Sequence, residues 1–198
     1  MALFTDQADV SVRPAVVGDE HAIAAIQLAT WQVTHADVLG VDTLAALDPT
    51  DFADRWARAI TAPPGPGFRV LVACEGAQVV GFAAVAPAPA DAGTEGSDRP
   101  GQPEQPPELA GEIVALEVAP TAQRAGHGSR LLAAAVDHLR EDHVTTVLTW
   151  VLDGDQGRAR FLDSAGLAPD DVIRVLDGGQ AADGSPRAVT EHRWSALI

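Results

Sequence analysis

The sequence predicts a single domain of mixed α and β structure (α/β, or α+β) in which helices flank one sheet. Strand-type and helix-type hydrophobic patterns interleave along the chain. The 198 residues suffice for one domain with a sizeable core, and no internal repeat interrupts them. We therefore expect residues 1–9 to be a tail and residues 10–198 to be the folded domain.

The first half of the chain alternates strand and helix signals, each bounded by Gly or Pro. Gly18-Asp19 supplies a turn and an expected helix cap. Apolar residues four apart indicate a helix that ends before a Pro-Gly cluster at 63–67. The predicted elements are a strand at Val10–Arg13, a helix after Asp19, a helix at Thr50–Ile60 and a hairpin of Phe68–Cys74 with Gln78–Val85.

The second half repeats this alternation after a break. Ala165-Gly166 is typical of a helix end, and a turn-rich stretch at 177–186 separates the last two strand patterns. The predicted elements are strands at Glu112–Val118 and Thr145–Val151, helices at Ser129–Glu141 and Arg158–Ser164, and a final hairpin of Asp171–Leu176 with Ala188–Ala196.

The break itself, residues 87–109, is rich in Pro, Gly, Asp and Glu and offers little to bury. This composition indicates a flexible insertion in the domain. A lid over a substrate is the alternative, because long loops of this kind are either functional or disordered.

The net charge of −15, from 28 acidic and 13 basic residues, argues against a nucleic-acid partner. No apolar run is long enough for a membrane helix, and the N-terminus does not resemble a secretory signal. Cys74 is the single cysteine and lies in an apolar run, so we expect a small buried side chain. These features predict a cytoplasmic protein.

The most informative unit is a glycine-containing loop, Gln123-Arg124-Ala125-Gly126-His127-Gly128, between a predicted strand and a predicted helix. A helix N-terminus presents unpaired N–H groups and the positive end of the helix dipole. The glycines let a phosphate approach the backbone, and Arg124 can add a charged contact. The loop thus predicts a pyrophosphate site.

Two common phosphate motifs do not fit this loop. A Walker loop requires a lysine after its glycines, and none follows Gly128. A dinucleotide-binding fingerprint requires a third glycine, whereas Arg130 and Leu131 follow here.

The loop and its surroundings resemble the GNAT superfamily of acyl-CoA N-acyltransferases. Gln123, Gly126 and Gly128 match the family's phosphate-loop pattern. Other matching segments follow in the family's order: Val12–Ala15 with Gly18-Asp19, Gly111–Pro120, and Leu148–Val151 with Arg158–Leu167. The resemblance implies a central, mostly antiparallel, twisted sheet flanked by helices, with splayed fourth and fifth strands.

The resemblance also implies acetyl-CoA as cosubstrate and direct attack of an amine on its thioester, with no metal. The pyrophosphate would lie on the loop, and the pantetheine arm would pair with the fourth strand where the fourth and fifth strands separate. Asp155 occupies the place of a family asparagine. The expected cofactor-binding residues are Leu116, Glu117, Val118, Gln123, Arg124, Ala125, Gly126, His127, Gly128, Ser129 and Asp155.

Catalysis requires a base, because a lysine-like amine near pH 7 is only roughly 0.1% neutral and its deprotonation costs on the order of 4 kcal/mol. Glu112 is the first candidate, since it lies eleven residues before Gln123, as the glutamate base does in histone-acetylating members. Glu117 is the second. A regular strand would point these two to opposite faces unless a bulge intervenes. A solvated or salt-bridged carboxylate is the alternative for either.

Other side chains carry weaker expectations. His127 is expected to contact phosphate or to face water, and His35, Trp31 and Trp56 are expected either in the acceptor pocket or in ordinary surface and core positions. His138 and His143 lack the companions of a metal site.

Two departures from the family leave the function open. Leu162 occupies the place of a tyrosine that protonates the thiolate in many members, and Asp155 replaces the asparagine. An N-acetyltransferase acting on a small-molecule or peptide amine is the main hypothesis. A non-catalytic acyl-CoA sensor and a nucleotide-binding module are the alternatives. A homodimer through the last strands is expected only by analogy with the family.

Overall fold

The computed structural model describes residues 10–89, 109–180 and 186–198. The predicted tail and residues 90–108 of the predicted insertion lie outside this range, whereas Pro87 still belongs to a strand. The elements are β1 (Val10–Pro14), α1 (Glu20–Thr34), α2 (Ala36–Leu39), α3 (Val41–Ala45), α4 (Pro49–Thr61), β2 (Arg69–Glu75), β3 (Gln78–Pro87), β4 (Ala110–Val118), α5 (His127–Glu141), β5 (Thr146–Leu152), α6 (Gln156–Ser164), β6 (Ala168–Gln180) and β7 (Pro186–Leu197).

The strands form one seven-stranded sheet in the order β1-β2-β3-β4-β5-β7-β6. Neighbouring strands are antiparallel, except that β4 and β5 run parallel. The β4–β5 pairing begins at Ala110 with Thr146 and ends at Glu112 with Leu148, although both strands continue beyond that point. The mostly antiparallel sheet and the splayed fourth and fifth strands are therefore confirmed.

The sheet buries a core on each face. One face packs against α5 through Leu131, Leu132, Ala135 and Leu139, with Leu162 of α6 joining the same cluster. The other face, including Phe82 and Val72, packs against Ile23 and Ile26 of α1. Helix α4 lies against α1 through Phe52 and Ala53. The 3.6-residue apolar spacing of α4 and α5 supplies these buried stripes, as predicted.

Asp19 precedes α1 as predicted, but its side chain makes no helix-capping hydrogen bond. Both carboxylate oxygens accept hydrogen bonds from Arg13, at 2.6 and 2.9 Å, and one also accepts from the Val16 N–H at 2.8 Å. Asp19 is therefore the N-cap residue, as predicted, but the bidentate charged pair with Arg13 replaces the side-chain capping hydrogen bond. The pairing lowers the pKa of Asp19, with the Arg13 hydrogen bonds as the largest cause.

The structure confirms several local features that the sequence predicts. Gly166 follows α6 with φ of +91°, so the predicted helix-ending glycine is confirmed. The final two strands pair as the predicted hairpin. Cys74 is buried at 3% exposure. In contrast, α2 and α3 were not predicted, since four- and five-residue helices carry too little periodicity.

Among the described residues, no helix combines the length and the apolar character that crossing a membrane requires.

Gly81 provides a test of the β3–β4 packing. A Cβ at this position would lie 2.9 Å from the Glu117 backbone oxygen and 3.2 Å from Leu131 and Val118 side-chain atoms. We expect Gly81→Ala to lower the free energy of unfolding by about 1–3 kcal/mol, because the contacting oxygen belongs to the backbone and cannot swing away.

Urea denaturation measures this change, with Gly65→Ala as the control, since a Cβ at Gly65 meets nothing within 4 Å. An equal effect of the two substitutions would contradict the packing described.

Candidate active site

The site begins where β4 and β5 separate. The Thr149 hydroxyl of β5 donates a hydrogen bond to the Ile113 carbonyl at 2.8 Å, just beyond the last backbone pair. Farther along, the edge of β4 that faces β5 has no backbone pairing to β5. An extended ligand could pair with that free edge, as in strand addition.

Strand β4 contains a bulge at Val114. Ala84 of β3 pairs with Ala115 whereas Val85 pairs with Ile113, which leaves Val114 as the extra residue. After the bulge, Leu116 and Val118 pack into the same cluster as Ile113, and Ala115 packs against the α1 cluster. Glu112 and Glu117 consequently lie on the same face of the sheet, the face of α1. The bulge that was needed to place both carboxylates on one face of the sheet is therefore present.

The phosphate loop connects the end of β4 to α5. Gly126 adopts φ of +84° immediately before α5, and Arg124 adopts φ of +67°. The Gln123 side chain donates to the Val118 carbonyl at 3.1 Å, and Arg130 donates to the Ala125 carbonyl at 3.1 Å. The N–H groups of the first turn of α5, which have no partner within the helix, therefore open on the same side as the split strands.

The His127 side chain is buried, although His127 belongs to the wall of the cavity described below. Its side chain is buried at 0% exposure, and its Nε2 lies 2.7 Å from Oε1 of Glu75 at the end of β2. The expectation that this side chain faces water is wrong, and its expected contact with phosphate stays a prediction. The imidazole instead ties the start of α5 to the β2–β3 hairpin, because a buried polar ring requires a hydrogen-bond partner.

A cavity of about 870 Å³ joins the loop to the split strands. It is lined by Leu116, Glu117 and Val118 of β4, by Gln123, Arg124, Gly126, His127, Gly128 and Ser129, and by Asp155. Thus the predicted cofactor-binding residues meet around one space, with the exception of Ala125. Glu112 is not part of its wall.

Glu117 is the carboxylate that this cavity exposes to a ligand. Loss of water around the carboxyl group is the largest cause that raises its pKa to about 7, and the negative charge of Asp155 also raises it. The positive charge of Arg158 and a hydrogen bond from Trp31 act in the opposite direction and lower the pKa. Near neutral pH about half of these carboxyl groups are ionised. Glu117 can therefore both accept and release a proton.

Glu112 lies at the last paired position of β4, opposite Leu148. Its pKa is also raised by loss of water, against the opposing charge of Arg174 and with a contribution from Glu191. Since Glu112 lies outside the cavity wall, a ligand in the cavity reaches Glu117 first.

Helix α1 forms the wall opposite Glu117. His35 stacks on Trp31 with ring centroids 5.7 Å apart and hydrogen-bonds to the Thr34 hydroxyl, and both rings line the cavity. Burial lowers the pKa of His35, so the ring is neutral near pH 7. Trp56 instead packs edge-on against Phe82, as core residues do.

A second cavity of about 600 Å³ lies between α1 and α4. Trp31 and Gln27 belong to the walls of both cavities, and the Trp56 indole donates to Gln27 at 2.9 Å.

Helix α6 closes the remaining side. Asp155 caps this helix by accepting from the Arg158 N–H at 2.9 Å, and Leu162 is buried at 2% exposure. Arg158 reaches into the split between β4 and β5, a position that the sequence reasoning did not identify. The sequence did contain one signal for Arg158, because this residue lies one turn before Leu162 in the helix that was expected beside the cofactor.

Within the ranges that the structure describes, no three His, Cys, Asp or Glu side chains are grouped closely enough to hold a metal ion.

Known proteins resemble this chain in sequence or in fold. A curated relative, the "Uncharacterized N-acetyltransferase YuaI" of Bacillus subtilis (strain 168), is 28% identical over 146 residues, which is 73% of this chain and 72% of the relative. A ribosomal-protein-alanine N-acetyltransferase from Brucella melitensis superposes with a TM-score of 0.65 at 22% identity, over 95% of this chain and 99% of that chain.

The PaiA N-acetyltransferase from Thermoplasma acidophilum, solved in complex with coenzyme A, superposes with a TM-score of 0.66 at 13% identity, over 91% of this chain and 97% of that chain. The sequence profile of the acetyltransferase (GNAT) family matches residues 25–167, which is more than half of the chain. This match contains the split strands, the loop, α5 and α6. The chain belongs to the acetyltransferase (GNAT) family.

Proposed function

We propose that this GNAT acetyltransferase transfers an acetyl group from acetyl-CoA to a primary amine of a small molecule or peptide, with Glu117 as the general base. The observation that carries the proposal is the meeting of the phosphate loop, the open edge of β4 and Glu117 around one cavity.

The residues present suit acetyl-CoA. The left-handed Gly126 and the first turn of α5 supply N–H groups for a pyrophosphate. The β4 backbone near Leu116–Val118 would pair with the amides of the pantetheine arm. The coenzyme A held by the Thermoplasma acidophilum neighbour is consistent with this assignment. Acetyl-CoA would supply a thioester whose carbonyl carbon accepts the amine while its C–S bond breaks.

Glu117 would act on the amine rather than on the thioester. Its ionised form accepts a proton from the incoming ammonium group, directly or through one water, and so produces the neutral nucleophile. A base with a pKa of about 7 suits this task near neutral pH, since it is both available and strong enough to act. Trp31 orients the carboxylate, and neutral His35 beside it forms the wall toward the acceptor.

The acceptor remains defined only as a primary amine. The name of the Brucella melitensis neighbour indicates alanine of a ribosomal protein as the acceptor of that enzyme, so peptides belong in the acceptor set to be tested. A cytoplasmic location and a homodimer through the β6 edge, which exposes Val172, Ile173, Val175 and Leu176, are further parts of the proposal.

The phosphate loop gives the first test. Gly126 and Gly154 both adopt left-handed φ, at +84° and +85°, but only Gly126 lines the cavity. We expect Gly126→Ala and Gly154→Ala each to cost about 1–2 kcal/mol of stability, because a side chain strains this conformation.

Only Gly126→Ala should weaken CoA binding, by about tenfold or more, because strain of this size shifts the loop away from its binding geometry. Isothermal titration calorimetry measures the affinity. Equal CoA affinities for the two variants would argue against this loop as the phosphate site.

Replacement of the two carboxylates tests the chemistry. We expect Glu117→Gln to lower kcat/KM by about 10²- to 10⁴-fold with CoA affinity nearly unchanged, because general-base assistance is lost. Glu112→Gln should have a much smaller effect. Free-thiol release from acetyl-CoA with a panel of small amines and peptides measures the rates.

Wild-type turnover by the Glu117→Gln variant would refute the assignment of the base. Tight CoA binding without turnover of any amine by the wild type would instead support a non-catalytic acyl-CoA sensor. ATP binding that CoA fails to displace would support a nucleotide-binding module.

Glu117 also predicts a pH dependence of stability. Burial raises its pKa from 4.5 to about 7, so the folded protein keeps a proton that the unfolded chain has released. The stability from the protonated group is full below the unfolded pKa and is lost as the pH rises through about 7. Glu117→Gln removes this titration, so we expect its free energy of unfolding to rise relative to wild type between about pH 5 and about pH 8.

Urea denaturation across this pH range measures the difference between the two proteins. A difference that is constant with pH would contradict the raised pKa.

A further inference from the structure

The proposed function, on which this inference rests, requires a group that stabilises the negative charge of the leaving sulfur. When the amine displaces the thioester sulfur, the C–S bond electrons remain on the sulfur, and the proton has already gone to Glu117. The thiolate must then be stabilised in place or protonated. The side chains at the split between β4 and β5 decide which of these occurs.

Arg158 spans this split. Its Nη1 donates to the Leu116 carbonyl of β4 at 3.2 Å, and its Nη2 donates to the Thr149 hydroxyl of β5 at 3.3 Å. Both partners lie beyond the last backbone pair of the two strands. Nε is buried and finds no hydrogen-bond partner among the described residues. A buried N–H left in this condition costs free energy, which a ligand atom could recover.

Among the described residues, the guanidinium group of Arg158 makes its side-chain hydrogen bonds to neutral oxygens, those of Leu116 and Thr149. Arg158 is half-buried and faces the same space as the carboxyl groups of Glu117 and Asp155. The Asp155 carboxylate accepts from the Arg158 backbone N–H. Of the other cations in the cavity wall, Arg124 is exposed on the loop and Arg160 donates to the Gln156 carbonyl.

Apart from Glu117, which has just accepted the proton of the amine, the described side chains around the split are poor proton donors. The sequence contains neither tyrosine nor lysine. Leu162, one turn after Arg158 in α6, brings only a hydrocarbon side chain to the cavity wall. The Thr149 hydroxyl already donates to Ile113. His35 is neutral and stacks on Trp31 in the opposite wall, and Glu191 is paired with Arg174 at 2.6 Å.

We propose that Arg158 is a catalytic residue that holds the departing CoA sulfur as a thiolate. The C–N bond forms as the C–S bond breaks, and the electron pair stays on sulfur. The second proton of the attacking nitrogen passes to water as the amide forms. The guanidinium group balances the charge on sulfur without giving up a proton. Arginine suits this role because it remains protonated throughout the physiological pH range. The thiolate takes its proton from water after it leaves the site.

Binding of the product tests this role without knowledge of the acceptor. The probes are CoA and desulfo-CoA, in which hydrogen replaces the thiol group, and calorimetry gives Kd for each from about pH 6 to about pH 10. The groups facing the sulfur, namely Arg158, Glu117, Asp155, His35 and Glu191, affect both ligands alike apart from the thiol itself. The ratio of Kd for desulfo-CoA to Kd for CoA therefore reports thiol ionisation.

A cation beside the sulfur lowers the thiol pKa in the complex, so CoA gains affinity as the pH rises through that lowered value. We expect the ratio to rise by about tenfold or more in the wild type, since an adjacent opposite charge shifts a pKa by about 1–3 units. Arg158→Gln and Arg158→Ala should leave the ratio flat. Arg140→Gln, on the exposed surface of α5, is the matched control and should behave as the wild type.

A flat ratio in the wild type, or an undiminished rise in either folded Arg158 variant, overturns the proposal. Arg158 would then have only a structural role, as a link between β4 and β5. These results differ from failure of the proposed function, in which neither CoA nor desulfo-CoA binds the wild type.

Discussion

The parallel pairing of β4 with β5 is the constraint on which the rest of the site depends. Among the described strands the other neighbours are antiparallel, so this pair requires a crossover, which α5 provides. A crossover helix begins at the carboxyl end of the strand before it. The N-terminus of α5 and the open edge of β4 therefore meet at one place, and the cavity forms between them.

The bulge at Val114 refines what this topology offers. Without it, Glu112 and Glu117 would point to opposite faces of the sheet; with it, both face α1. Their different surroundings then follow from the pairing of β4. Glu112 lies where the two strands are still joined, whereas Glu117 lies beyond, where the strands have separated and a ligand can enter.

The sequence was sufficient for features that depend on local pattern. The apolar stripe of α5, the left-handed Gly126 and the final hairpin follow from periodicity and glycine placement. Features that join distant positions could not be read in this way. His127 pairs with Glu75, 52 residues away, and Arg158 reaches Leu116, 42 residues away. A hydrogen bond to a distant partner leaves no periodic signal in the sequence.

The burial of Cys74 also protects its thiol from side reactions of the proposed acyl transfer. The proposed reaction takes place beside a thioester, which can acylate an exposed cysteine thiolate. Cys74 is the single cysteine and is 3% exposed, so the folded state shields it from such a reagent. With no lysine in the sequence, the side chains also offer no amine for acylation. The side chains of the folded domain therefore present neither an exposed thiol nor an amine to the proposed acyl donor.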